Sequence, residues 1–156
     1  MVKTFAKVAL SAAVASLSVT AFGQALEEVV VTAQKRTESL QDVPISVTAI
    51  SGELIQDASI RSFGELGAYV PNFSVSENAV NTIITMRGIS IGGNQSFEQS
   101  VGIFLDGVYL GRSRQARLGL FDLEQVEVLR GPQGILFGKN TLGGAINVRS
   151  AAPVVG

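Results

Sequence analysis

The 156-residue sequence contains no cysteine, no histidine and no tryptophan. The first absence removes disulfides, thiol nucleophiles and thiolate metal ligands; the second removes the commonest general base and zinc ligand. Charged residues make up only 16% of the chain, with a net charge of −1, so no basic excess invites nucleic acid. Aromatic residues are equally scarce at 6%, too few to girdle the alternating strands of a transmembrane barrel. Long apolar runs are also missing. The longest, Val8 to Phe22, falls short of the roughly 20 residues a membrane-spanning helix needs. An enzyme would have to work with carboxylates or a Ser–Lys pair. Asp122, Glu124 and Glu127 lie close together, but an acidic turn before a strand reads as a solvated face. No catalytic residue, metal site or cofactor is expected.

What is present begins at the N-terminus. Lys3 and Lys7 precede the uncharged run Val8 to Phe22. Small residues then follow at signal-peptidase spacing, Ala21 with Gly23 or Gly23 with Ala25, for a cut before Gln24 or before Leu26. The first cut is favoured, making residues 1–23 a signal peptide and the protein an exported one. Residues past 23 suffice for one domain. Glycine is abundant, 17 in all, and concentrates in the second half.

Along the rest of the chain, Val29 to Ala33 is a β-capable run followed by a polar stretch that closes at Pro44. A lone strand is not stable by itself, so residues 24–43 are expected to hang free as an extended segment and linker. Ile45 to Ile50 alternates as a strand should. Ser51 suits an N-cap for a short helix through Ala58, and Ser62 with Glu65 suits a capping box for a second, which must end near Val70 before Pro71. Strands are expected over Phe73 to Val75 and Thr82 to Met86. Val101 to Leu105 and Val108 to Leu110 flank Asp106-Gly107, a strong hairpin signal. Asp122 and Gln125 are read as capping one helical turn ahead of a strand from Val126 to Leu129. Ile135 to Phe137 is a short apolar piece, and Ala145 to Val148 the last strand. The fold class is α+β: a small mixed sheet with short helices and long loops, residues 44–156 forming the domain.

Gly131 to Thr141 reads GPQGILFGKNT and imitates a phosphate-binding loop. Such a loop needs glycine five positions before Gly-Lys, and Ser or Thr after it for magnesium. Here those positions hold Gln133 and Asn140, so nucleotide binding is not expected.

A β-capable segment, Glu28 to Ala33, thus precedes a polar linker and a glycine-rich domain. Its backbone groups are bait for another protein's sheet edge; equally, it is an ordinary first strand. Glu28-Val29-Val30-Val31-Thr32-Ala33 resembles the TonB box of outer-membrane receptors. Val126 to Val148, VEVLRGPQGILFGKNTLGGAINV, resembles the plug-domain signature of the same family. Thr85-Met86-Arg87-Gly88 and Val101 to Tyr109 resemble further plug segments in the expected order.

The resemblance, which covers nearly the whole chain past residue 23, implies a plug folded inside a 22-stranded β-barrel of a Gram-negative outer membrane, the barrel lying outside these residues. It implies that Glu28, Val29, Val30, Val31, Thr32 and Ala33 pair as an added strand with the TonB C-terminal domain, facing the periplasm. Arg87 and Arg130 would meet acidic residues of the barrel wall; the plainer alternative is that each bonds plug carbonyls. Gly131, Pro132, Gly138, Gly143 and Gly144 would shape the plug loop, and Gly88 to Ser100 an outward-facing loop near substrate. The implied function is gating active uptake of an iron–siderophore or a similarly scarce nutrient. A free-standing periplasmic interaction or signalling module is the alternative.

Overall fold

The computed structural model describes residues 29–32, 35–91 and 98–153. The expected signal peptide, Glu28, Ala33 and the middle of the 88–100 loop lie outside the described residues. In chain order the elements are β1 (Val30–Val31), β2 (Glu38–Ser39), β3 (Ser46–Ser51), α1 (Gly52–Asp57), α2 (Phe63–Leu66), β4 (Phe73–Glu77), β5 (Thr82–Met86), β6 (Val101–Leu105), β7 (Val108–Leu110), a 3₁₀ turn (Ser113–Arg117), β8 (Leu123–Arg130), α3 (Gly134–Phe137) and β9 (Gly144–Ser150). No helix among the described residues is long and apolar enough to cross a membrane.

Local chemistry explains most of these elements. The Ser51 hydroxyl accepts from the Leu54 N–H at 3.3 Å and starts α1. Asp106 and Gly107 take φ of 48° and 81°, the twin left-handed residues of the β6–β7 hairpin. Hydrogen bonds from Ser150, first from its N–H and then from its hydroxyl, hold the Asp106 carboxyl below the usual carboxylate range and tie that hairpin to the end of β9. The expected capping box at α2 is not made, and Glu65 reaches one residue past the cap. Ser62 makes no side-chain cap bond, while Glu65 accepts from the Arg61 N–H at 2.5 Å.

The helical turn expected at Asp122 to Gln125 does not form. β8 begins at Leu123 instead, paired with β9 through a bulge between Leu123 and Gln125 and with β3 from Gln125 onward, and strand pairing outweighs a local cap. The 3₁₀ turn carries no strong sequence signal. It is held from outside: Arg117 donates through Nε to the Thr82 hydroxyl at 3.0 Å and through Nη2 to the Asn81 carbonyl at 3.3 Å.

The main sheet has the order β3-β8-β9-β6-β7, with only β6 and β9 parallel. Alternation sends two sets of side chains to two faces. On the first face Ile50, Val126, Val128, Ile146, Val148, Val101 and Ile103 pack against α1, α2 and the β4–β5 hairpin through Ile55, Phe63, Leu66, Phe73, Ile84 and Met86. The second face gathers Phe104, Leu129 and Ala145, and the N-terminal segment covers it with Val31, Leu40 and Val43. This corrects the expectation of a free tail and linker over residues 24–43. The described part of that span is paired as β1–β2, and the Val31 side chain is fully buried. A sheet apolar on both faces needs two covers, and this segment is one of them.

Close approach demands glycine where α1 meets β8. A Cβ on Gly52 would lie 1.9 Å from the Leu123 carbonyl oxygen, which is backbone and cannot yield, whereas one on Gly134 meets nothing within 4 Å. Gly52→Ala is therefore expected to cost about 1–3 kcal/mol, as overpacking does. Gly134→Ala should leave the urea midpoint unchanged or slightly raised. Equal midpoints for the two variants would contradict this packing.

Candidate functional site

Three polar side chains interrupt the apolar second face. Gln125 and Glu127 are two residues apart on β8, and Asn147 on β9 sits opposite Glu127 in the strand register. Glu127 is fully buried, and no cation pairs with it among the described residues, whose ion pairs are Lys139–Glu98 and Arg149–Glu124. The solvated acidic face expected over residues 122–127 is thus corrected at this position.

The Glu127 oxygens are satisfied instead by donors. Oε1 accepts from the Thr32 N–H at 2.5 Å and from the Thr32 hydroxyl at 3.1 Å; Oε2 accepts from the Asn147 amide at 3.0 Å. Gln125 donates through Nε2 to the Val30 carbonyl at 3.2 Å. Val30 pairs with Ser39, and the Leu40 N–H donates to the Val29 carbonyl at 2.9 Å, so the Val30 backbone groups and the Thr32 N–H point away from β2, while the Thr32 carbonyl accepts from the Lys35 N–H at 2.7 Å. That outward edge of β1 is met by side chains of β8. Val29 and Val30 themselves are 44% and 41% exposed.

The arginines occupy a second region. Arg87 is exposed, with φ of 52° at a turn, and its guanidinium Nη1 lies 3.2 Å from where a Cβ on Gly131 would stand. Arg130, at the end of β8, has its Nε buried without a hydrogen-bond partner. Neither arginine pairs with a carboxylate among the described residues. The alternative in which each bonds a plug carbonyl is not realised there either.

The loop after Arg130 closes on itself. The Gly131 N–H donates to the Gly143 carbonyl at 3.0 Å, and the Gln133 N–H to the Thr141 carbonyl at 2.9 Å. Gly131, Gly138 and Gly144 have φ of 109°, 79° and 153°, while Gly143 is conformationally ordinary and packs against Val101; Pro132 is exposed. At the end of the 88–100 loop, the hydrogen bond from Asn140 holds the Glu98 carboxyl below the usual range, with Lys139 at 3.4 Å adding to it. No cluster of ligands that could hold a metal occurs among the described residues.

The sequence reading singled out Glu28 to Ala33, the arginines and the loop glycines; it gave no sign of Asn147 and misread both Gln125 and Glu127. The available signal was the alternation of Gln125 and Glu127 with Val126 and Val128 within the strand.

Comparison with known proteins agrees with this architecture. The family model described as TonB-dependent Receptor Plug Domain matches residues 39–145. The pesticin receptor of Yersinia pestis is 33% identical over 127 residues, 80% of this chain and 19% of that protein. The ferrichrome outer membrane transporter/phage receptor of Escherichia coli K12 is 30% identical over 125 residues, 78% and 16% respectively. Among solved structures, the ferric yersiniabactin uptake receptor of Yersinia pestis superposes with a TM-score of 0.65 at 31% identity, covering 72% of this chain and 18% of that one. The chain thus spans about a fifth of the length of these relatives. The matched model covers most of the sheet and the loop beyond β8. The chain belongs to the TonB-dependent receptor plug domain family.

Proposed function

We propose that this chain is the gate of a Gram-negative outer-membrane receptor, exported by residues 1–23 and seated inside the transmembrane barrel of the same receptor. Its cargo would be an iron–siderophore or a similarly scarce nutrient, a class drawn from the names of the ferrichrome and ferric yersiniabactin relatives. It carries out no chemistry of its own. Residues 88–100 would face the substrate, and the 131–144 loop, shaped by Gly131, Pro132, Gly138, Gly143 and Gly144, would line the wall.

The observation that carries this reading is an unfinished surface around Arg130. A buried guanidinium donor without a partner is costly in a free-standing domain. Beside it in sequence, Ile135 is fully exposed and Leu142 is 65% exposed; Phe121, elsewhere on the domain, is 76% exposed. A barrel wall offering carboxylates would complete both arginines through paired hydrogen bonds and cover the apolar residues.

The same reading assigns Glu28 to Ala33 to the TonB C-terminal domain as an added strand. Main-chain bonds would supply most of the affinity, with side chains second.

Three outcomes follow. Arg130→Met in the isolated chain should hold or raise the thermal midpoint, since an unmet buried donor is removed; in the complete receptor the same change should reduce uptake. A lowered midpoint in the isolated chain would count against the barrel-facing role. The isolated chain should unfold no higher than the common mesophile range of about 45–65 °C, and a transition well above it would remove the need for a wall. Finally, Val30→Pro deletes an N–H that points away from β2 and should weaken binding of the purified TonB C-terminal domain roughly tenfold. Val30→Ala should cost less, within the roughly 1 kcal/mol span of β-propensity. Equal binding by the proline variant, with circular dichroism unchanged, would remove the strand-addition assignment.

A further inference from the structure

The outward edge of β1 is already occupied, and by side chains rather than by a strand. A partner strand laid along that edge would have to take up the Val30 carbonyl and the Thr32 N–H. Those two groups bond Gln125 Nε2 at 3.2 Å and Glu127 Oε1 at 2.5 Å. The match is geometric: Gln125 and Glu127 are two residues apart on β8, Val30 and Thr32 two apart on β1, and both pairs therefore repeat at about 6.8 Å. One side chain offers an amide N–H and the other an oxygen acceptor, the same pair of groups that a strand backbone presents.

Asn147 completes the arrangement by donating to Glu127 Oε2 at 3.0 Å, which steadies the carboxyl from the neighbouring strand. The Thr32 hydroxyl, 3.1 Å from Oε1, adds a second bond from the same residue. Beyond these bonds β1 is held by the Val31 side chain in the second-face core and by a short pairing with β2. Its pairing with β2 is two residues long, and of its two side chains only Val31 is buried.

We propose that Gln125 and Glu127, steadied by Asn147, are a side-chain imitation of a strand edge that keeps the TonB-binding segment closed, so that the plug competes with TonB for the same backbone groups. This inference rests on the assignment of residues 28–33 to TonB. The apparent affinity of the whole chain is then the intrinsic affinity reduced by the fraction of molecules with the edge free. Substitutions in β8, outside the segment TonB touches, should tighten TonB binding.

The test uses the full chain with Gln125→Leu and, separately, Glu127→Gln. Gln125→Leu removes the donor to Val30. Glu127→Gln keeps the shape but turns one acceptor oxygen into a donor facing other donors. For each, the amide exchange rate of Thr32 is measured by NMR, with the Val128 amide as a control for the fold. The dissociation constant for the TonB C-terminal domain is measured alongside, against a free peptide of residues 24–36 as the unlatched reference. The peptide should bind more tightly than the wild-type chain. Each variant should speed Thr32 exchange and move the affinity roughly three- to tenfold towards that of the peptide, the value of one hydrogen bond. If Glu127→Gln loses protection at Val128, Gln125→Leu decides the outcome alone. Unchanged Thr32 exchange overturns the latch. Faster exchange with unchanged affinity overturns the competition and leaves the TonB assignment standing. A peptide that fails to bind overturns the TonB assignment itself, and the competition with it.

Discussion

β8 is buried on both faces, and the rest of the molecule is arranged to cover it. Its pattern, LEQVEVLR, alternates two apolar sets with polar residues on one of them, and β3 and β9 close its edges. The first face takes α1, α2 and the β4–β5 hairpin. The second would expose Leu129, Ala145 and Phe104 if nothing lay on it, and whatever covers them also buries the Glu127 carboxyl. A carboxyl in that position without donors would cost several kcal/mol. Thr32 supplies the donors and Val31 the apolar contact, so one short segment meets both needs. Packing and polar satisfaction thus fix the place of residues 29–32, although their own strand pairing is slight.

The same strand joins the two ends of the proposed function. Gln125 and Glu127 touch the segment assigned to TonB, and Arg130, at the other end of β8, leads into the loop assigned to the barrel wall. Between them lie Val126, Val128 and Leu129, all fully buried. A pull on the N-terminal segment would act directly on β8, with no intervening linker.

Much of the fold could be read from local chemistry. The β6–β7 hairpin is set by Asp106-Gly107, the start of α1 by Ser51, and β3 by the alternation over Ile45 to Ile50. The failures have one physical origin, which is that distant partners outweighed local preference. The turn expected at Asp122 gave way to pairing with β3 and β9, and the 3₁₀ turn exists where Arg117 reaches Thr82 and Asn81. Residues 29–32 looked like a tail because their partners are 95 positions away in sequence, at Gln125 and Glu127. Periodicity marks a strand but not its partner. Arg87 and Arg130 were found by resemblance; nothing in composition or spacing singles them out, because the feature that marks Arg130, an unmet buried Nε, exists only in the folded chain.

The central claim is that the N-terminal segment is a structural cover of the second sheet face. Comparing urea unfolding of residues 24–156 with that of residues 44–156 tests it most directly. The cover predicts a clearly lower midpoint for the shorter chain, with a smaller dependence on denaturant because less surface is buried. Superimposable curves would mean that the segment is a passenger on a sheet that does not need it.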